Sequence, residues 1–231
     1  IIKGGGSGIL AVSGSLHADG TPAEKIIFTS YHDDDCGQIS GCGDTDATTT
    51  PASAGDWKGV YFNAGSGPSL INNAVIRYGG DKNVFTPKHG ALRIIASSVD
   101  VANTIIESNY FAGIWLENSA STTIKDTFIQ NHQAPILPWQ SYGLFSINSI
   151  PLIQNTTFKN NRTDLWPSTP FYTDGGGTKS ITLPGSTTTT ILSGQGLGNG
   201  ANVITFTASA GSATVSKAAG KVKWNYVSLT N

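Results

Sequence analysis

Four stretches of this chain align without a gap: Ile71-Asn72-Asn73-Ala74-Val75-Ile76, Val101-Ala102-Asn103-Thr104-Ile105-Ile106, Ile124-Lys125-Asp126-Thr127-Phe128-Ile129 and Ile153-Gln154-Asn155-Thr156-Thr157-Phe158. Each reads aliphatic, any residue, Asn or Asp, small, any residue, bulky apolar. The third positions lie 30, 23 and 29 residues apart. A pattern recurring at such intervals marks a stack of similar coils, because one coil cannot bury its apolar face alone.

A glycine opens an apolar strand 12 to 14 residues before each Asn or Asp: Gly59-Val60, Gly90-Ala91, Gly113-Ile114 and Gly143-Leu144. A polar turn lies between, such as Asn118-Ser119 or Asn148-Ser149. One coil therefore reads strand, turn, strand, turn. Coils of about 22–30 residues with parallel strands ~4.8 Å apart define an all-β fold, a parallel β-helix or β-solenoid. The column Asn73, Asn103, Asp126, Asn155 is expected at a bend as a structural ladder. Side-chain amides can bond up and down the stack there, and Asn tolerates the backbone angles of a bend.

The expected organisation is a β-helix over residues 1–162, with an Asp-rich loop inserted at 33–56. An irregular segment begins at 163, followed by further β-coils or a small C-terminal β-unit up to 231. The opening coil is read from the alternation of Leu10, Val12 and Leu16 and from the strand Ile26-Ile27-Phe28-Thr29. A similar arrangement returns at Val203-Ile204-Thr205-Phe206-Thr207. The start at Ile1-Ile2-Lys3, with no Met in the chain, is read as a piece of a longer protein.

Charged residues are 13% of the chain and the net charge is −1. That removes the electrostatic case for nucleic acid, which requires a basic face. No apolar run approaches the ~20 residues of a membrane-spanning helix. Cys36 and Cys42 are the two cysteines. They read as a local disulfide or as half of a metal site. With no Cys or His cluster nearby, the spacing favours a disulfide and an oxidising compartment.

At this point the chain resembles right-handed parallel β-helix proteins of the pectate-lyase-like superfamily, and within it secreted bacterial surface proteins. The resemblance rests on Gly14-Ser15-Leu16, Ile26-Ile27-Phe28-Thr29-Ser30, the Asp-rich loop, Gly55-Asp56-Trp57-Lys58-Gly59-Val60 and Arg77-Tyr78-Gly79-Gly80. It covers residues 8–162 and implies an extracellular or cell-surface location. These motifs are specific for architecture and unspecific for activity.

Three places are candidates for chemistry. The first is the loop from Asp33 to Asp46. With Asp56 it holds six of the 15 acidic residues and no Lys or Arg. Oxygen-rich, glycine-rich loops suit Ca²⁺, and the resemblance implies the same ion. Asp33, Asp34, Asp35, Asp44 and Asp46 are the candidate ligands of a stabilising calcium. The second is a notch between two long insertions, 81–89 and 133–142, flanking the short turn 109–112. It would present Lys82, Phe85, Lys88, His89, Trp139, Gln140 and Tyr142, with His132 close by, to a sugar ring. The third is catalysis. The outward column Arg77, Glu107, Gln130, Lys159 holds one carboxylate, and no pair recurs as glycoside hydrolysis requires. No catalytic residue is assigned.

The reading favoured by these residues is a non-catalytic extracellular β-helix segment of a bacterial surface, adhesive or filament-forming protein, stabilised by calcium. A polysaccharide lyase or hydrolase and a carbohydrate-binding module are the alternatives. Glycans, or self-association through the ends of the β-helix, are the expected partners.

Overall fold

The computed structural model describes residues 1–37, 42–43, 49–82, 90–118, 122–132, 141–149 and 151–167. Beyond these it describes the backbone of the strands at 179–183, 188–190, 204–208, 214–216 and 227–230. No helix among the described residues is long and apolar enough to cross a membrane. All the regular elements among the described residues are strands.

The first strand is β1 (Ile2–Gly4). Sets of three then follow, each a rung. They are β2 (Ile9–Val12), β3 (His17–Asp19) and β4 (Ile26–Ser30); β5 (Gly59–Phe62), β6 (Ser69–Asn72) and β7 (Ala74–Arg77); and β8 (Gly90–Ile95), β9 (Val99–Ala102) and β10 (Ile105–Glu107). Two more rungs comprise β11 (Ala112–Glu117), β12 (Thr123–Lys125) and β13 (Phe128–Gln130), then β14 (Tyr142–Ile147), β15 (Leu152–Gln154) and β16 (Thr156–Lys159). After them come β17 (Thr163–Pro167), β18 (Lys179–Leu183), β19 (Thr188–Thr190), β20 (Ile204–Ala208), β21 (Thr214–Ser216) and β22 (Val227–Thr230).

Corresponding strands stack into three parallel sheets. Sheet A runs β1-β4-β7-β10-β13-β16-β18-β20-β22, sheet B β2-β5-β8-β11-β14-β17, and sheet C β3-β6-β9-β12-β15. This arrangement is compatible with a β-solenoid. Each rung thus carries three strands where the sequence suggested two. The missed corner is the one inside the six-residue block: β6 ends at Asn72 and β7 starts at Ala74, with Asn73 turning the chain between them.

The core lies between the sheets. Sheet A contributes Phe28, Ile76, Ile106, Ile129 and Phe158; sheet B contributes Val60, Leu92, Ile114, Leu144 and Leu165; sheet C contributes Ile71, Val101, Ile124 and Ile153. Apart from Phe28, the sheet A and sheet C members are the last and first positions of the repeated block; in sheet B, Val60, Ile114 and Leu144 follow a glycine, while Leu92 follows Ala91 and Leu165 follows Asp164. The small fourth position is buried too. Thr104, Thr127 and Thr156 each donate their hydroxyl to the carbonyl two residues back, which satisfies both groups inside the bend.

Register corrects one alignment. Gly59, Ala91, Gly113 and Gly143 share a column, whereas Gly90 aligns with Ala112 and Tyr142. The column is small because inter-rung space is short there. A Cβ at Gly113 would sit 2.3 Å from His132 Nε2, and one at Gly143 would sit 3.0 Å from Asn161 Nδ2.

Candidate functional site

The chain leaves sheet A after Ser30 and rejoins sheet B at Gly59, and the acidic loop lies between. Its first carboxylate, Asp33, is 3% exposed. Arg77, on β7 one rung further, grips it bidentately. Nε donates to Oδ2 at 2.7 Å and Nη2 to Oδ1 at 2.8 Å. The Thr29 hydroxyl also donates to Oδ2. Such a fork is the strong form of charge-assisted hydrogen bond. Asp35 is exposed, lies 3.6 Å from Arg77 Nη2 and accepts the Gly37 N–H at 2.9 Å. Asp56 accepts from Ser30 Oγ, from the Ser53 N–H and from Lys82 Nζ, the last at 3.2 Å. The loop contains no cation of its own. Among the described residues, cations reach it from positions 77 and 82 and from Lys3, whose Nζ donates to the Gly43 carbonyl at 2.7 Å; linear spacing connects none of them to it.

Cys36 and Cys42 form a disulfide with Cα atoms 5.7 Å apart. Together with Ile27 and Val75 they make a small apolar cluster, against which Ile105 packs. Those three residues alternate with the inward Phe28, Ile76 and Ile106, so they lie on the outer face of sheet A. The disulfide therefore covers that face. Trp57 fixes the far end of the loop. It is buried, and its Nε1–H donates to the Arg77 carbonyl at 2.9 Å.

Asp34 Oδ1 is shielded from solvent and has no hydrogen-bond partner among the described residues. Asp44 and Asp46 lie outside the described residues. Among the described residues, no group of three or more His, Cys, Asp or Glu is gathered as for a metal ion.

The Asn73, Asn103, Asp126, Asn155 column occupies one corner, with φ of 47°, 49°, 50° and 44°. These are left-handed angles, which Asn and Asp tolerate better than most residues. The side chains are linked less regularly than a simple ladder. Asn155 Nδ2 donates to Asp126 Oδ1. Asn103 Nδ2 donates to Asn72 Oδ1 at 2.9 Å, and Asn72 in turn to Asp19 at 2.7 Å. Asn73 donates to the Gly20 carbonyl at 3.1 Å.

A second ladder, buried except at its partly buried last member, was missed in the sequence. It comprises Gly79, Asn109, His132 and Asn161, each six residues after a member of the first. The side chain of each later member accepts the backbone N–H of its predecessor. Gly79 N donates to Asn109 Oδ1 at 2.8 Å, Asn109 N to His132 Nδ1 at 3.2 Å, and His132 N to Asn161 Oδ1 at 3.2 Å. The amide nitrogens of Asn109 and Asn161 reach back to the carbonyls of Ile76 and Ile129. The constant offset of six was the signal that could have revealed it.

His132, expected beside the notch, is thus inside the wall. Burial pushes its pKa down to about 3. Tyr142 is likewise buried, and its hydroxyl is pushed up to about 12 by desolvation. It belongs to an aromatic group outside the main core, with Tyr110, Phe111 and Trp115. Trp115 stacks on Phe145 with ring centroids 4.2 Å apart. Register continues this outer column of sheet B through Arg93 and Tyr61. Arg93 sits 5.7 Å above the Tyr61 ring, a cation–π contact. Lys82 pairs with Asp56 at 3.2 Å, and its stem lies against Gly55, as does Tyr110 of the aromatic group. Phe85, Lys88, His89, Trp139 and Gln140 lie outside the described residues.

The column Arg77, Glu107, Gln130, Lys159 runs along sheet A in register. Gln130 Nε2 donates to Glu107 at 2.8 Å. Compared with known proteins, the chain matches no family model, no curated protein and no solved structure.

Proposed function

We propose that this chain is a right-handed parallel β-helix segment of a bacterial extracellular or cell-surface protein. It acts as a non-catalytic, calcium-stabilised scaffold in an adhesive or filament-forming assembly. The observation that carries the reading is the Asp33–Arg77 pair. The strongest charged contact of the acidic loop ties one rung to the next, and the buried Asn109 and His132, with the partly buried Asn161, do the same at another corner. Polar side chains engaged in this way stiffen the stack.

Calcium fits the rest of the loop. Asp33 uses both oxygens on Arg77 and Thr29 and anchors the loop. Asp34 and Asp35, with Asp44 and Asp46, are the carboxylates that would hold the ion. The unpartnered, shielded Asp34 Oδ1 supports this, since an anionic oxygen removed from water needs a cation or a donor.

The decisive experiment is a panel of neutral and acidic polysaccharides, assayed for new reducing ends and for unsaturated uronide absorbance. The scaffold reading expects neither with any substrate, with or without calcium. Turnover of any member replaces it with the lyase or hydrolase reading. A glycan-binding module is the second reading. It rests on Trp139 in the 133–142 insertion, because the rings of Phe111, Trp115 and Tyr142 are buried and offer no open face to a sugar. Retention on a glycan matrix that Trp139→Ala abolishes would favour it.

A further inference from the structure

Sheet A changes character along its length. Over β7, β10, β13 and β16, the positions alternating with the inward core are Val75 and Arg77, Ile105 and Glu107, Phe128 and Gln130, and Thr157 and Lys159. Charged, amide and apolar residues are mixed there, and Thr157 alone carries a hydroxyl. Thr157 pairs with Thr182, and from that point the sequence becomes uniform. The next strands of the sheet carry Ser180-Ile181-Thr182 on β18, Thr205-Phe206-Thr207 on β20 and Ser228-Leu229-Thr230 on β22.

Register superposes these triplets without a shift. Ser180, Thr205 and Ser228 form one column, Ile181, Phe206 and Leu229 the next, and Thr182, Thr207 and Thr230 the third. Ile181 pairs with the buried Thr156, so strand alternation assigns the apolar column to the core face and both other columns to the opposite face. Thr157 extends the third column by one rung. β19 and β21 pair in parallel as a separate two-stranded sheet and repeat the alternation. There Thr188 pairs with Thr214 and Thr190 with Ser216.

A solvated sheet face requires polar residues, but not one residue class in an unbroken grid. Parallel strands lie ~4.8 Å apart and alternate residues ~6.6 Å apart, so the grid is regular in two dimensions. It holds no charged residue, no amide and no aromatic ring, the groups by which proteins grip a sugar or an anion. What remains are hydroxyl and methyl groups at a spacing close to the oxygen repeat of an ordered water lattice. Threonine suits such a ligand, because a β-branched side chain has few rotamers to give up on binding. We infer that the Ser and Thr face of sheet A over β18, β20 and β22 binds the surface of ice. This inference rests on the scaffold reading and names what the adhesive chain holds.

The test grows ice slowly through a solution of the full chain and a fluorescent control protein, and measures the share of each taken up. Osmometry on single crystals reads the gap between melting and freezing. Wild type is expected to be enriched in the ice over the control and to open a gap that buffer lacks. Thr182→Lys and Thr207→Lys, which set a charge in the grid, are each expected to lose most of both signals. Thr205→Tyr guards against misfolding, because Tyr is also a strand former. Its bulk holds the lattice off the grid, and the same loss is expected. Ser228→Thr is expected to widen the gap. Asp100→Lys, at an exposed position on β9 of sheet C, is expected to change neither signal. Unchanged far-UV circular dichroism and melting would certify the fold of each variant. A folded wild type that ice excludes as fully as the control overturns the inference. So does uptake that Asp100→Lys abolishes and Thr207→Lys leaves intact. Retention on crystalline cellulose or chitin by a chain that ice excludes replaces the inference with a polysaccharide surface. Exclusion from ice without polysaccharide turnover removes this inference alone and leaves the scaffold reading standing. Turnover together with uptake into ice removes the scaffold reading and leaves the ice-binding face.

Discussion

The backbone N–H of Asn109 donates to Nδ1 of His132 across one rung, at 3.2 Å. Because Nδ1 accepts, the neutral imidazole carries its proton on Nε2. The ring thereby imitates the accepting oxygen of the carboxamide that Asn109 and Asn161 offer at the equivalent corners. A protonated ring would point a second N–H at the Asn109 N–H and lose that contact.

This arrangement sets an acid limit on stability. The buried His132 has its pKa lowered to about 3 from the ordinary 6.5. The unfolded chain therefore takes up the proton first as pH falls. The contribution of His132 is fully present above about pH 6.5 and is lost progressively toward pH 3, reaching roughly 3 kcal/mol at about pH 4. His132→Asn keeps an acceptor and a donor at the corner and removes the titration. Urea unfolding of both proteins from neutral pH to about pH 4 should show a steeper loss for wild type; parallel curves would contradict this.

Gly113 is small because His132 is not. A Cβ there would come within 2.3 Å of Nε2. Gly113→Ala should destabilise the chain by about 1–3 kcal/mol, the usual range for overpacking. The smaller Asn in His132→Asn should recover part of that loss in the double variant. Additive effects in denaturant titrations would show that the two positions do not compete for space.

Removing Arg77 leaves Asp33 buried without its cation. Arg77→Met should cost about 3 kcal/mol or more, as breaking a buried pair usually does. Asp33→Leu combined with Arg77→Met should cost less than Arg77→Met alone. Arg77→Lys should not restore stability fully, because an ammonium cannot make the bidentate fork. Chemical denaturation of the four proteins measures each step.

The disulfide closes a short loop over Ile27 and Val75. Replacing Cys36 and Cys42 together with Ser should lower stability by roughly 2 kcal/mol on the loop-entropy model. Hydrogen exchange should rise locally on β4 and β7 while the remaining rungs stay protected. Uniform loss of protection would mean that the loop is integral to the whole stack.

Calcium at the acidic loop predicts a thermal shift. Ion at a hundredfold excess over its dissociation constant should add about 2–3 kcal/mol, and EDTA should reverse the gain. Asp34→Asn should diminish the response, while Asp100→Asn, at an exposed position on β9, should leave it unchanged. Identical calorimetric melting with calcium and with EDTA would exclude the ion.

Much of the architecture was legible in the linear pattern. The block of aliphatic, Asn or Asp, small and bulky residues marks a rung corner and the inward positions beside it. That pattern is local, and burial of its apolar members against the neighbouring rung is what it encodes. Two features escaped. The third strand of each rung was hidden because the six-residue block itself crosses a corner. The buried ladder was hidden because His132 does the work of an Asn, and a residue-type pattern does not equate an imidazole with a carboxamide.

Sequence alone therefore determined that rungs stack, which side chains of the repeated block face inward, and that Asn73, Asn103, Asp126 and Asn155 turn the chain. Each follows from short-range periodicity and backbone preference. Only the tertiary structure decided what the polar residues do. Asp33 looked like one member of an uncompensated acidic cluster until Arg77, 44 residues away in sequence, was brought against it. Tyr142 and His132 looked like residues of an exposed notch until packing closed over them. Charge compensation and burial depend on which rungs become neighbours, and linear spacing does not carry that information.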